Sequence, residues 1–254
     1  MNIKPYPVYF CTFVVLLMLG CTGKDSQKNE LLADFQQGFS IDKIPSYNNM
    51  TIDTTSMLLA FYPNFKRIDL VCKQMPQPTD TSVIFCCEAA FTGKLLKTFT
   101  HENIAGNHVS SGSFFKGYPC CSNTGAFMAY NNTWKFVYDD YATDMVQAAD
   151  MGGMAFGQLL FIHRGLRMPA SISKKTVFRA LCERRGKLCV IESRQSVYFP
   201  EFIKYLGRYG VTEALYLDMG EGWNHSWYRD NEGMAHDIYP KSHDYCTNWI
   251  AFYR

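Results

Sequence analysis

The chain has 254 residues, 47% hydrophobic and 19% charged, a balance that supports a sizeable core and excludes an intrinsically disordered chain. A net charge of +2 without a long basic run gives no electrostatic footprint for nucleic acid. The aromatic share of 15% assigns most rings to the core and leaves some for a flat ligand such as a sugar face.

At the N-terminus Lys4 is followed by the apolar run Val8–Leu19, too short for a span of roughly 20 residues but suited to a signal peptide. The run closes on Leu17-Met18-Leu19-Gly20-Cys21, which resembles the lipobox of bacterial lipoproteins. That resemblance implies a signal peptide over 1–20 and a lipid on Cys21. The protein would then be anchored to a membrane of the bacterial cell envelope, facing periplasm or exterior. An ordinary signal peptide cut nearby is the alternative. Thr22–Glu30 is polar and patternless, the composition of a tether. Residues 21–50 are read as tether and entry segment, and 51–254 as one domain.

From Thr51 the texture is β-like. Met57–Tyr62 and Ile68–Lys73 are predicted strands bounded by Pro63 and Pro76. Ser82–Phe91 is a central strand, preceded by a turn over Gln77–Thr81. His108–Phe115 reads as one strand. Gly125–Tyr130 and Trp134–Tyr138 flank Asn131-Asn132-Thr133 and form a hairpin, because Asn tolerates left-handed backbone. Tyr141–Met151 is a helix ended by Gly152-Gly153. Met154–His163 is a strand, and Val177–Leu181 with Lys187–Glu192 a second hairpin turned at Gly186. Phe199, Phe202, Ile203 and Leu206 share one helical face, with Ser196 as a start signal and Gly207 and Gly210 as stop signals. Strands at Val211–Leu217 and Cys246–Tyr253 complete the chain. The expected fold is α+β: a single domain with a strand-rich mixed sheet and a few packed helices.

Aside from Cys11 and Cys21, cysteines stand at 72, 86, 87, 120, 121, 182, 189 and 246. The adjacent pairs and the lack of a CxxC ladder favour small buried hydrophobes over a zinc site, with one or two disulfides left open.

The stretch richest in chemistry is VTEALYLDMGEGWNHSWYR, Val211–Arg229. A strand ends in Asp218, Gly220 and Gly222 loosen the turn, and Glu221, Trp223, Asn224, His225 and Trp227 follow. A strand fixes a carboxylate while the glycine loop lets a ligand approach it; an Asp capping a turn is the plainer reading.

From residue 107 onward the order of pieces resembles the phosphodiester glycosidase domain family, which includes the uncovering enzyme of mannose 6-phosphate tags and many bacterial exported proteins. The matching pieces are Ser111-Gly112-Ser113 before Phe114-Phe115, Arg179 in TVFRALC, the helix and strand EFIKYLGRYGVTEALYLDMG, and Asn248 in CTNWIAF. Departures are Ser111 in place of Asn, Asp218-Met219-Gly220-Glu221-Gly222 in place of Asp-Gly-Gly and serines, and no Arg shortly before Asn248.

The resemblance implies an exported hydrolase of glycosyl phosphodiesters or a related glycan linkage; no cofactor is expected from the residues, with a divalent metal left open. Asp218 is then the nucleophile or base, Glu221 its partner carboxylate, and His225 a further acid or base. Carboxylates about 5–5.5 Å apart retain anomeric configuration and those roughly 6.5–9.5 Å apart invert it; the sequence spacing allows either. Arg179 suits a leaving phosphate through its planar fork, or is a strand-end surface Arg paired with an acid. Ser111, Ser113, Trp223, Trp227 and Asn248 are the expected substrate contacts. A non-catalytic glycan-binding lipoprotein on the same scaffold is the rival. A divalent metal held among His225, Asp230, His236, Asp237, His243 and Asp244 is the outsider, since their spacing matches no known motif.

Overall fold

Short turns and apolar strands build three large antiparallel sheets and a two-stranded ribbon of Lys175–Thr176 with Val197–Tyr198 in the computed structural model, which describes residues 39–40, 48–92, 103–120, 122–170, 172–220, 224–239 and 246–254. The signal peptide, Cys21 and most of the tether lie outside these residues, as do Glu221, Trp223, His243 and Asp244. Residues 38–254 cluster as one compact unit.

The seven-stranded sheet runs Leu166–Arg167, Leu160–His163, Glu213–Leu217, Arg179–Arg184, Lys187–Ser193, Leu58–Pro63, Met50–Thr54. The six-stranded sheet runs Phe39–Ser40, Thr133–Tyr138, Gly125–Tyr130, Met154–Gln158, His108–Ser110, Ser113–Phe115. The five-stranded sheet runs Ala235–Asp237, Ser226–Arg229, Val83–Glu88, Asn248–Tyr253, Arg67–Cys72. Every pairing between these strands is antiparallel, which corrects the expected mixed sheet. The reason is partly local. Asn131-Asn132, Arg185-Gly186, Arg164-Gly165 and Ser111-Gly112 all take positive φ, and such two-residue turns return the chain antiparallel, whereas a parallel pair needs a long crossover. The fold is accordingly mostly sheet, with two helices among the described residues, Ala142–Asp150 and Phe199–Tyr209.

Two expected strands divide. His108–Phe115 folds back on itself, pairing Ser110 with Ser113. Met154–His163 changes sheets at Leu159: Met154–Gln158 joins the six-stranded sheet and Leu160–His163 the seven-stranded one.

The main core draws on all three sheets, with Phe61, Phe85, Phe127, Phe156, Leu215 and Phe252 among its members. The helix Phe199–Tyr209 lays Phe199, Phe202, Ile203 and Leu206 against Phe161, Phe178 and Ala180 on the other face of the seven-stranded sheet. Each such side chain contributes about 1.5–3 kcal/mol on burial. The Tyr198 N–H, not Ser196, meets the helix start, donating to Glu201 Oε2 at 2.9 Å. Gly210 ends it in the left-handed region at φ 86°. Val83–Glu88 is buried along its whole length: Phe85 and Cys87 enter the main core, and Cys86 meets Trp227 and Trp249 behind it. The cysteines at 72, 86, 87, 120, 182, 189 and 246 are free thiols, so none of them forms the disulfide left open above.

Candidate active site

Two sheets meet end to end at residues 88–92, and the meeting is made by site residues. The strand Glu213–Leu217 stops at Leu217, and the Asp218 N–H donates to Ala89 O at 3.1 Å. At the start of Asn248–Tyr253, the Asn248 amide grips Ala90 twice. Its Oδ1 accepts the Ala90 N–H at 2.8 Å and its Nδ2 donates to Ala90 O at 3.1 Å. Asn248 is therefore a clamp on the chain beside Asp218.

Arg179 opens its strand as the cross-strand partner of both Leu217 and Glu192. Its side chain is fully buried, contrary to a surface Arg. Nε donates to Glu192 Oε1 at 2.6 Å and Nη1 to Glu88 Oε2 at 3.2 Å. Nη2 donates to Ser226 Oγ at 2.6 Å and Asn224 O at 3.3 Å. The Tyr239 hydroxyl donates to the second Glu192 oxygen at 3.0 Å, and its ring centroid lies 5.6 Å from the guanidinium carbon. A phosphate would reach this guanidinium only by displacing protein partners. That corrects the expectation of a free phosphate fork.

Glu88 ends the buried strand, with Arg179 on one oxygen and Cys246 Sγ 3.2 Å from the other. Burial pushes its carboxyl up to about 7 against the pull of Arg179. Asp218 is also pushed up to about 7 by burial, opposed by the backbone N–H groups of Gly220, Met219 and Thr92 and by the Arg179 charge. Asp218 retains 8% exposure where Glu88 has 1%, so Asp218 is the carboxyl that solvent reaches. Burial drives the Cys246 thiol far above its ordinary range, keeping it a neutral donor. Two carboxyl groups, Glu88 and Glu192, thus pair with one guanidinium, whose charge also reaches Asp218. A dry site with excess negative charge relieves it by taking up a proton.

The other expected contacts fall elsewhere. Trp227 is fully buried, its Nε1–H donating to Pro76 O at 3.2 Å, so it is core and not a sugar platform. Ser111 sits at φ 48° in the hairpin turn, its N–H 3.4 Å from Asp69 Oδ1. Asp69 and Cys72 share the strand Arg67–Cys72, and Cys72 is the partner of Asn248. Ser113 is exposed in the same hairpin. Neither serine bonds the Arg179 group. His225 is buried between Asn224 and Ser226, with Nε2 3.4 Å from Asp237 Oδ1. His236 Nε2 lies 2.6 Å from Asp230 Oδ2. No group of three or more His, Cys, Asp or Glu among the described residues is placed to hold a metal ion.

Glu88, Glu192, Tyr239 and Cys246 escape a reading from sequence. One signal was present: Glu88 and Glu192 are charges at the ends of apolar strands, where an acid needs a buried partner.

No protein-family model matches this chain, and no curated protein matches it. Among solved structures it is similar to the zebrafish N-acetylglucosamine-1-phosphodiester alpha-N-acetylglucosaminidase catalytic domain, auto-inhibited by its pro-peptide. The TM-score is 0.57 with 12% identity, over 86% of this chain and 87% of that one. The likeness is one of fold.

Proposed function

We propose that this chain is a glycan-directed hydrolase whose preferred bond is a glycosyl phosphodiester, with Asp218 as the catalytic carboxylate. The observation that carries the reading is the joining of Asp218, Glu88 and Arg179 at the meeting of two sheets. The scaffold's similarity to a phosphodiester glycosidase supports it. Cleavage of such a bond develops positive charge on the sugar and releases a phosphate that is stable as an anion. Asp218, ionised and aimed by three backbone N–H groups, stabilises or attacks the anomeric carbon. Arg179 is a positioning residue that holds Glu88 and Glu192, and Glu88 stores the proton that the crowded acids share.

The same reading places the protein on a bacterial envelope membrane through a lipid on Cys21. Cys21→Ser would move it to the soluble fraction, and unchanged membrane retention would refute the anchor.

The test of activity is turnover of sugar 1-phosphodiesters by wild type, Asp218→Asn and Glu88→Gln. Loss of about 10³-fold or more in Asp218→Asn is expected; equal turnover in the two proteins removes Asp218 from the chemistry. A glycan-binding protein without turnover is the second reading. It is favoured by the low exposure of Asp218 and the full enclosure of Arg179, and it predicts saturable glycan binding unaffected by Asp218→Asn.

A further inference from the structure

We propose that the side-chain carbonyl of Asn224 is a recognition subsite for a hydrogen-bond donor, a hydroxyl or an amide N–H, on the glycosyl unit bound at Asp218. The proposal rests on the hydrolase reading and adds the group that reads the sugar. Asn224 lies on the loop leaving Asp218, and its position is fixed by its backbone. Its carbonyl oxygen accepts from Arg179 Nη2 and from Ser226 Oγ, each at 3.3 Å. Its side-chain Oδ1, by contrast, is shielded from solvent and has no partner.

A buried acceptor left unmade is costly, and interiors satisfy nearly all such groups. Buried orphan atoms also stand on Gln158, Thr212 and Trp249, but none of those residues bonds Arg179. The Trp249 indole belongs to an apolar cluster with Met75, Cys86 and Trp227. Asn224 alone of these four is tied to the carboxyl–guanidinium group. A carbonyl oxygen accepts and cannot donate, so an ionised phosphate cannot satisfy it. Sugar hydroxyl and acetamido groups can, and a site built around such a bond rejects the analogue that lacks it.

The test titrates the full chain and its Asn224→Ala variant with glucose, galactose, N-acetylglucosamine and the single-deoxy analogues of each, by calorimetry. Removing the recognised donor from the sugar weakens wild-type binding about 10–100-fold. Asn224→Ala weakens the parent sugar by a similar factor and leaves that analogue unchanged. Coupling confined to the acetamido group assigns the amide N–H; coupling to one ring position assigns its hydroxyl. Without ligand, the thermal midpoint of Asn224→Ala equals or exceeds that of wild type, because only an orphan acceptor is lost; a structural hydrogen bond there would make it fall. Equal weakening of parent and analogue, no weakening, or no sugar binding by wild type overturns the subsite and leaves Oδ1 to an internal water. Turnover is scored separately. Coupled binding with phosphodiesters left uncleaved defeats hydrolysis and keeps the subsite, and turnover without coupling does the reverse.

Discussion

At Glu88 and Asp218 two carboxyl groups are both pushed up to about 7 by burial, and the Asp218 charge raises Glu88 further. Their protons therefore leave in two steps that belong to the pair. If Asp218 works ionised and Glu88 protonated, kcat/KM rises as the first proton leaves and falls as the second does. The expected profile is a narrow bell with its maximum about pH 7. Glu88→Gln keeps a neutral group at all pH and removes the falling limb. A profile flat from about pH 5 to 9 in wild type would exclude both roles. Arg179 is read through stability. Arg179→Met leaves Glu88 and Glu192 without their cation in a dry interior, at a cost of about 3–5 kcal/mol. Urea unfolding checks this, and the double variant with Glu88→Gln recovers part of the loss. An unchanged single variant would show that the buried pairs contribute nothing.

The elements that hold Asp218 are thin, and one glycine controls their spacing. A Cβ on Gly117 would lie 1.9 Å from Gly106 O and 2.4 Å from Ile104 O, both rigid backbone. The segment 104–106 in turn bonds Phe91 through the Ala105 N–H and Tyr118 through Gly106, and Thr92 donates its N–H to Asp218. Gly117→Ala is thus expected to cost about 1–3 kcal/mol through overpacking and to reduce kcat more than it raises KM, because it displaces an Asp218 donor. Wild-type kinetics in a destabilised Gly117→Ala protein would break this link between the segment and the site. Much at this scale was legible in the sequence. Asn131-Asn132, Gly186 and the apolar face of Phe199–Leu206 announce their turns and helix through local backbone and side-chain preferences. The two divided strands were not. A chain that changes sheets at Leu159 stays apolar on both sides of the change, and periodicity reports a buried face without saying which sheet provides it. The site was half legible for the same reason. Asp218 is marked by its strand end and its glycines, while the partners of Arg179 lie at Glu88 and Glu192, on strands that only the fold brings together.

Across the described residues the acids whose proton affinity is shifted fall into two groups with opposite effects on stability. Glu88 and Asp218 at one end of the fold, Glu183 and Glu213 paired across their strands farther along, and Asp69 on the five-stranded sheet are all raised, chiefly by burial. Glu213 has His163 Nδ1 at 2.9 Å and the Arg164 N–H at 3.0 Å, and Glu183 accepts the Gly186 N–H. A raised carboxyl binds its proton more tightly folded than unfolded. Its stabilising effect is present in full below the ordinary carboxylate value and is lost as pH climbs to the folded value. Asp80 and Asp230 are lowered, by Ser82 and by His236 respectively, so their effect runs the other way and is complete above the ordinary value. Between about pH 4 and 7 the raised acids are therefore not opposed by the lowered ones, and their contribution to stability should decline as pH rises. Urea midpoints at about pH 5 and pH 7.5 test this. The decline should flatten in Glu183→Gln, which acts away from the site, and in Asp218→Asn, which acts at it. A midpoint that climbs over this interval would mean that the buried acids are compensated in the folded chain. The crowded anionic site would then have no proton to share, and the bell-shaped activity profile argued from Glu88 and Asp218 would lose its cause.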